Sequence, residues 1–86
     1  HLPGAQLAYW HEQGRHEVDF VIEAQRKVVA IEVKAATRWE DGDLSGLRAF
    51  LDRTPACVAA VLAYNGRQAV RLADRLWAIP LGHLLA

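Results

Sequence analysis

The amino-acid sequence predicts an α/β (α+β) fold: a mixed β-sheet in which an antiparallel meander leads through a crossover helix to a parallel central strand. Three observations carry this reading. Val18 to Glu23 and Val28 to Lys34 alternate along the chain with a period of two, the pattern of half-buried strands. Leu44, Leu47, Phe50 and Leu51 recur at helical spacing between Asp43 and Pro55. Cys57 to Tyr64 is a continuous apolar run of strand length, as expected of a strand covered on both faces.

Taken in order, His1 to Gly4 form an irregular lead-in and Ala5 to Trp10 a short first strand, with a turn at Gly14. In the second strand Val18, Phe20 and Ile22 fall on one face, and Glu17, Asp19, Val21 and Glu23 on the other. In the third, Val29, Ile31 and Val33 oppose Val28, Ala30, Glu32 and Lys34. A turn centred between Gln25 and Arg26 places Glu23 opposite Val28, Asp19 opposite Glu32 and Glu17 opposite Lys34. Ala35 to Gly42 reads as a loop, Asp43 as the N-cap of the helix, and Pro55 as its stop. A right-handed crossover then lays Cys57–Tyr64 parallel to Val28–Lys34. Asn65-Gly66 has the composition of a tight hairpin turn and should return the chain as Ala69–Leu72, an exposed edge. Leu76 to Ile79 is a further short extended piece, and Pro80 opens a final helix through His83 and Leu85.

Length and composition bound what this chain does. Its 86 residues suffice for one domain with a single core, spanning 1–86. The formal charge is zero, with eight arginines and two lysines scattered along the chain, so a strongly basic nucleic-acid coat is excluded. No apolar run is long enough to span a membrane and no secretory leader opens the sequence, so the expected location is cytoplasmic. Cys57 has no second cysteine to pair with and is expected to pack in the core. The chain lacks methionine even at position 1 and is read as a fragment of a longer polypeptide.

The charges on the central hairpin demand a cause, because carboxylates facing each other across a strand pair repel. The face that carries them turns apolar at Val21 and Ala30, so it should lie half under another element, where an uncompensated charge costs more. A bound cation removes the penalty. The alternative is a salt-bridge cluster in which Lys34 neutralises Glu17 and Glu32 while Asp19 is solvated at the strand edge.

Asp19 on one strand and Glu32-Val33-Lys34 on the next, followed by a helix and a buried strand, resemble the PD-(D/E)XK nuclease superfamily with its restriction-endonuclease-like core. More narrowly, Glu17 to Ile22, Ile31 to Lys34, Leu44 to Phe50 and Pro80-Leu81 look like the C-terminal domain, of unknown function, of a family of prokaryotic AAA-plus-type ATPases. The resemblance covers about Tyr9 to Leu85. Two features depart from the superfamily pattern. Val18 stands where the motif has proline, and the acidic residue of a preceding helix has no good counterpart, Glu12 being poorly placed.

The resemblance implies catalytic roles for Asp19, Glu32 and Lys34, and a divalent ion, Mg2+, held by Asp19, Glu32 and the carbonyl of Val33. Hard oxygen ligands and retained waters suit magnesium. Lys34 would orient or deprotonate the attacking water or stabilise charge on the phosphate. Arg38 and Trp39, just beyond the Lys34 strand, are candidates for contacting a phosphate or stacking on a base at the rim. His11 and His16 lack metal-ligand spacing on a helix, and Glu40, Asp41 and Asp43 read as loop and cap carboxylates. Trp10, Trp77, Phe50 and Tyr64 fall on core-facing patterns.

Two functions follow from the resemblance. One is metal-dependent hydrolysis of DNA or RNA phosphodiesters by in-line attack of a metal-bound water. The other is a catalytically inactive module that docks nucleic acid or protein for an ATPase domain upstream in the same polypeptide. The stretch itself has no Gly-x-x-x-x-Gly-Lys phosphate loop and cannot be that ATPase.

Overall fold

The computed structural model describes residues 6–12 and 16–85, with side chains from Val18 onward. Its strands are β1 (Gln6–Glu12), β2 (His16–Ala24), β3 (Lys27–Lys34), β4 (Cys57–Tyr64), β5 (Val70–Ala73) and β6 (Leu76–Pro80). Its helices are α1 (Ser45–Arg53), entered through a 3-10 turn at Asp41–Leu44, and α2 (Leu81–Leu85). All six strands form one sheet in the order β1-β2-β3-β4-β6-β5. β1, β2 and β3 make an antiparallel meander, β3, β4 and β6 are parallel, and β5 runs antiparallel along the far edge. The mixed sheet, the meander, the crossover helix and the parallel β4 agree with the sequence reading. The final helix starts one residue later than expected, the first strand runs two residues past its expected end at Trp10, and Ala5, the lead-in and the turn at Gly14 lie outside the described residues. No described helix is long and apolar enough to cross a membrane.

The β2–β3 hairpin turns at Gln25 and Arg26, whose φ angles of 52° and 66° are both left-handed. Two such central residues fit the twist of antiparallel strands, which explains a tight turn without glycine. The turn sets the predicted register, with Glu23 opposite Val28 and Val21 opposite Ala30. The ladder then ends at Phe20 opposite Ile31, so the expected pairing of Asp19 with Glu32 is not formed. The cause lies on the other side of β2. From Ala8 to Trp10 β1 advances two residues, while their partners Val21 to Val18 span three. Asp19 and Phe20 therefore oppose the single residue Tyr9, a β-bulge that bends and twists the strand. The bulge also corrects the expected facing of Val18. Instead of joining Phe20 and Ile22, Val18 is buried in the core beside Val28 and Ala30.

That core fills the space between the sheet and α1. Leu44, Leu47, Phe50 and Leu51 pack against Val18, Val28, Ala30, Cys57, Ala60, Leu62 and Leu76, so the acid-bearing face of the hairpin does lie under another element. Cys57 sits in this core with its thiol donating to the carbonyl of Ala59 at 3.3 Å. The opposite face carries Phe20, Ile22, Val29, Ile31, Val33 and Trp77 at register positions that alternate with the core. Trp77 is consequently half-buried there rather than in the core, with the Arg71 guanidinium 5.6 Å from its ring centroid.

Asn65-Gly66 does not form the expected hairpin. β5 pairs with β6, and β6 occupies the place beside β4 that the returning strand was expected to take. Asn65 lacks the positive φ that such a turn requires. A wider turn forms around Tyr64, whose hydroxyl donates to the Gln68 carbonyl at 2.6 Å, while the Asn65 N–H donates to the Ala36 carbonyl at 2.8 Å. Gly66 is required because a Cβ there would run into the Tyr64 ring. Chain led out over its own tyrosine has to re-enter the sheet farther out.

Candidate metal and phosphodiester site

The early end of the β2–β3 ladder creates the site. Val33 should donate its backbone N–H to β2, but the bulge has carried β2 away. The Asp19 side chain takes the place of the missing backbone acceptor, with Oδ2 receiving the Val33 N–H at 2.7 Å. The N–H and C=O of one strand residue point the same way across the sheet, since residues of a bonded antiparallel pair exchange both groups. The Val33 carbonyl therefore looks into the same gap, beside the Asp19 carboxylate.

Glu32 and Lys34 flank Val33 and project on the α1 side, where both are half-buried. Glu32 lies across from the buried Leu62 on β4, and Lys34 across from Tyr64. These positions are the carboxyl ends of parallel strands, the usual place for ligands in open α/β sheets. Asp19 is thus bonded to the backbone of Val33, whose neighbours in the strand are Glu32 and Lys34, and the side chain of Glu17 lies outside the described residues.

The residue that sequence reasoning missed is Asp43. Asp43 does not cap α1, whose N-cap position is taken by Leu44; it is the third residue of the preceding 3-10 turn, where Glu40 is the N-cap. The turn forms there because Asp43 Oδ2 accepts the Glu40 N–H at 2.8 Å while the Asp43 N–H donates to the Glu40 carbonyl at 2.9 Å. Its other oxygen, Oδ1, receives Lys34 Nζ at 3.1 Å, and the two side chains are only 27% and 34% exposed. The bond from the Glu40 N–H, and then the Lys34 ammonium, hold the Asp43 carboxyl below its ordinary range against the opposing effect of burial. One signal in the sequence was available. An acid three residues after Glu40, opening a helix that follows a strand ending in lysine, is both a capping pattern and a reachable partner for that lysine.

The rim residues differ from one another. Arg38 is exposed, whereas Trp39 is half-buried and packs against the α1 core, leaving only part of its indole to solvent.

The donor set fits magnesium. Among the described residues no three His, Cys, Asp or Glu side chains form a metal-holding group. Two carboxylates and one carbonyl, all hard oxygens, match an ion that keeps several of its waters. Asp19 has Oδ1 left for such an ion after Oδ2 has bound Val33, so the bond that orients the carboxylate does not exhaust it.

No curated protein and no solved structure matches the sequence. A family profile matches residues 1–84, described as the domain of unknown function DUF4143. With nearly its whole length covered, the chain belongs to the DUF4143 family.

Proposed function

We propose that this domain hydrolyses nucleic-acid phosphodiester bonds with a divalent metal ion, magnesium, on a restriction-endonuclease-like core. The observation that carries the reading is the Asp19 carboxylate bound to the Val33 N–H. It brings one acid of β2 to the backbone carbonyl and the Glu32-x-Lys34 pair of β3 at a break in the sheet.

Asp19, Glu32 and the Val33 carbonyl would hold the ion, and Asp19 is oriented by its bond to the Val33 N–H. When bound, the ion supplies Lewis-acid stabilisation of charge on the phosphate and lowers the pKa of water. Lys34 presents an ammonium to the non-bridging phosphate oxygens, whose charge grows in the transition state. Arg38 sits at the rim to meet a neighbouring phosphate, and the exposed part of Trp39 offers a surface to a base. DNA or RNA is the substrate class, in a cytoplasmic protein where this domain accompanies an ATPase domain.

Magnesium-dependent cleavage of single- and double-stranded substrates by the protein and by Asp19→Ala, Glu32→Ala and Lys34→Ala variants tests the reading. Asp19→Ala and Glu32→Ala should abolish cleavage, and Lys34→Ala should leave a slow but measurable rate, lower on the order of 10²- to 10³-fold. Cleavage that persists unchanged in them would remove the assignment. Calorimetric titration of the three variants with magnesium separates roles: Asp19→Ala and Glu32→Ala should lose cation binding, and Lys34→Ala should keep it.

A further inference from the structure

We infer that Asp43 is the positioning residue for the Lys34 ammonium, fixing it at the corner where Asp19, Glu32 and the Val33 carbonyl meet. The inference rests on the nuclease reading for its catalytic meaning and on the geometry for the tether itself. Lysine is a compact charge on a flexible four-carbon stem, so its place is set by what its ammonium bonds to. Glu32 lies two residues before Lys34 on the same face of β3, so an untethered Lys34 could bond to a carboxylate that the metal ion needs. Asp43 provides a fixed alternative. Its two oxygens have separate tasks, one closing the 3-10 turn through the Glu40 N–H and the other receiving Lys34 Nζ. The turn is in turn anchored by Leu44, which is fully buried under α1. Position therefore passes from the core, through the turn and Asp43, to the ammonium, the kind of support that near-attack geometry requires.

The chain has only two lysines, so ammonium NMR of the intact protein gives two assignable signals, with the exposed Lys27 as an internal reference. Lys34 should show slow solvent exchange and restricted side-chain motion, and Asp43→Asn should make it as mobile as Lys27. Asparagine keeps an oxygen for the Glu40 N–H but turns away the ammonium, so backbone spectra of the variant should stay folded. In single-turnover cleavage at saturating nucleic acid, Asp43→Asn should slow the reaction on the order of ten- to a hundredfold. The same substitution added to Lys34→Ala should cost nothing further, because both act through one group. Asp43→Glu, which keeps the charge, should recover part of the rate.

A Lys34 signal as mobile as Lys27 in the unaltered protein would overturn the tether. A tethered Lys34 with cleavage unaffected by Asp43→Asn, or an equal loss in the Lys34→Ala background, would overturn the positioning role while leaving the nuclease reading standing. No cleavage by the unaltered protein would overturn the nuclease reading and, with it, the catalytic meaning of a tether that NMR still detects.

Discussion

At the scale of single residues, Asp43 and Cys57 have opposite consequences for pH. Asp43 is held below its ordinary range first by the Glu40 N–H and second by Lys34. A carboxyl depressed in the folded state contributes stability that is present above its unfolded value, about 3.9, and is lost as pH falls below it. The order of causes gives a prediction. In Lys34→Ala the carboxyl 13C titration of Asp43 should move up only part of the way, because the larger influence, the Glu40 bond, remains. A full return to the ordinary value would show that lysine dominates. Cys57 is the reverse case, its thiol pushed up chiefly by desolvation in the core. A raised thiol contributes stability that is present below its unfolded value, about 8.5, and is lost as pH rises through the folded value. In practice the Cys57 thiol should react with disulfide reagents in urea and resist them in buffer near neutral pH; rapid native modification would contradict its burial. The core role of Cys57 was legible from the apolar run it opens. The second task of Asp43 was not, because the capping pattern accounts for its presence completely and hides the lysine nine residues upstream.

At the scale of elements, alternation sufficed to place the β2–β3 hairpin, its register and its turn. It could not reveal where the ladder stops, because a bulge inserts a residue without altering composition. The candidate site depends on that stop: the residues proposed for it were chosen from the sequence, whereas the Asp19 bond to the Val33 N–H was not foreseeable from it. The two turns around the sheet show the same limit. Gln25-Arg26 makes a left-handed two-residue turn with unfavourable residues, and Asn65-Gly66 has the favoured residues and does not make one. Tertiary contacts decide in each case: the register of β2 on β3 in the first, the Tyr64 ring in the second. Two substitutions test this. Arg26→Gly removes the cost of a non-glycine residue at φ 66° and should raise stability by about 0.5–1 kcal/mol. Arg75 has the same φ, but its guanidinium donates to the Cys57 carbonyl at 2.8 Å, so Arg75→Gly forfeits a half-buried bond of about 1 kcal/mol and should gain nothing. Thermal unfolding of the two variants side by side decides it, and equal gains would mean that the Arg75 bond contributes nothing.

At the scale of the whole molecule, the sheet is packed unequally on its two faces, and this governs which changes the fold tolerates. The α1 face is closed, with Ala30, Leu47, Ala60 and Leu62 fully buried. The other face carries Phe20, Ile22, Ile31 and Val33 at half-buried or exposed positions, Val33 being 39% exposed. In β3 the covered face holds Val28, Ala30, Glu32 and Lys34 and the open face Val29, Ile31 and Val33, so apolar content alone points to the wrong face for the helix. The acids at one end of the covered face are what distinguish them, and they do so through chemistry rather than packing. Truncating a closed-face side chain removes transfer energy and leaves a cavity, so Leu62→Ala and Leu47→Ala should each cost about 2–5 kcal/mol. Val33→Thr changes a side chain that already meets solvent, so it should cost under about 1 kcal/mol. Its backbone N–H and carbonyl stay in place, so the bond to Asp19 and the cleavage rate should survive. Urea unfolding supplies the first comparison and cleavage the second. A Val33→Thr variant as unstable as Leu62→Ala would mean that the open face is covered in the protein as it works. A folded Val33→Thr variant that no longer cuts would mean that the valine side chain, and not only its backbone, belongs to the site.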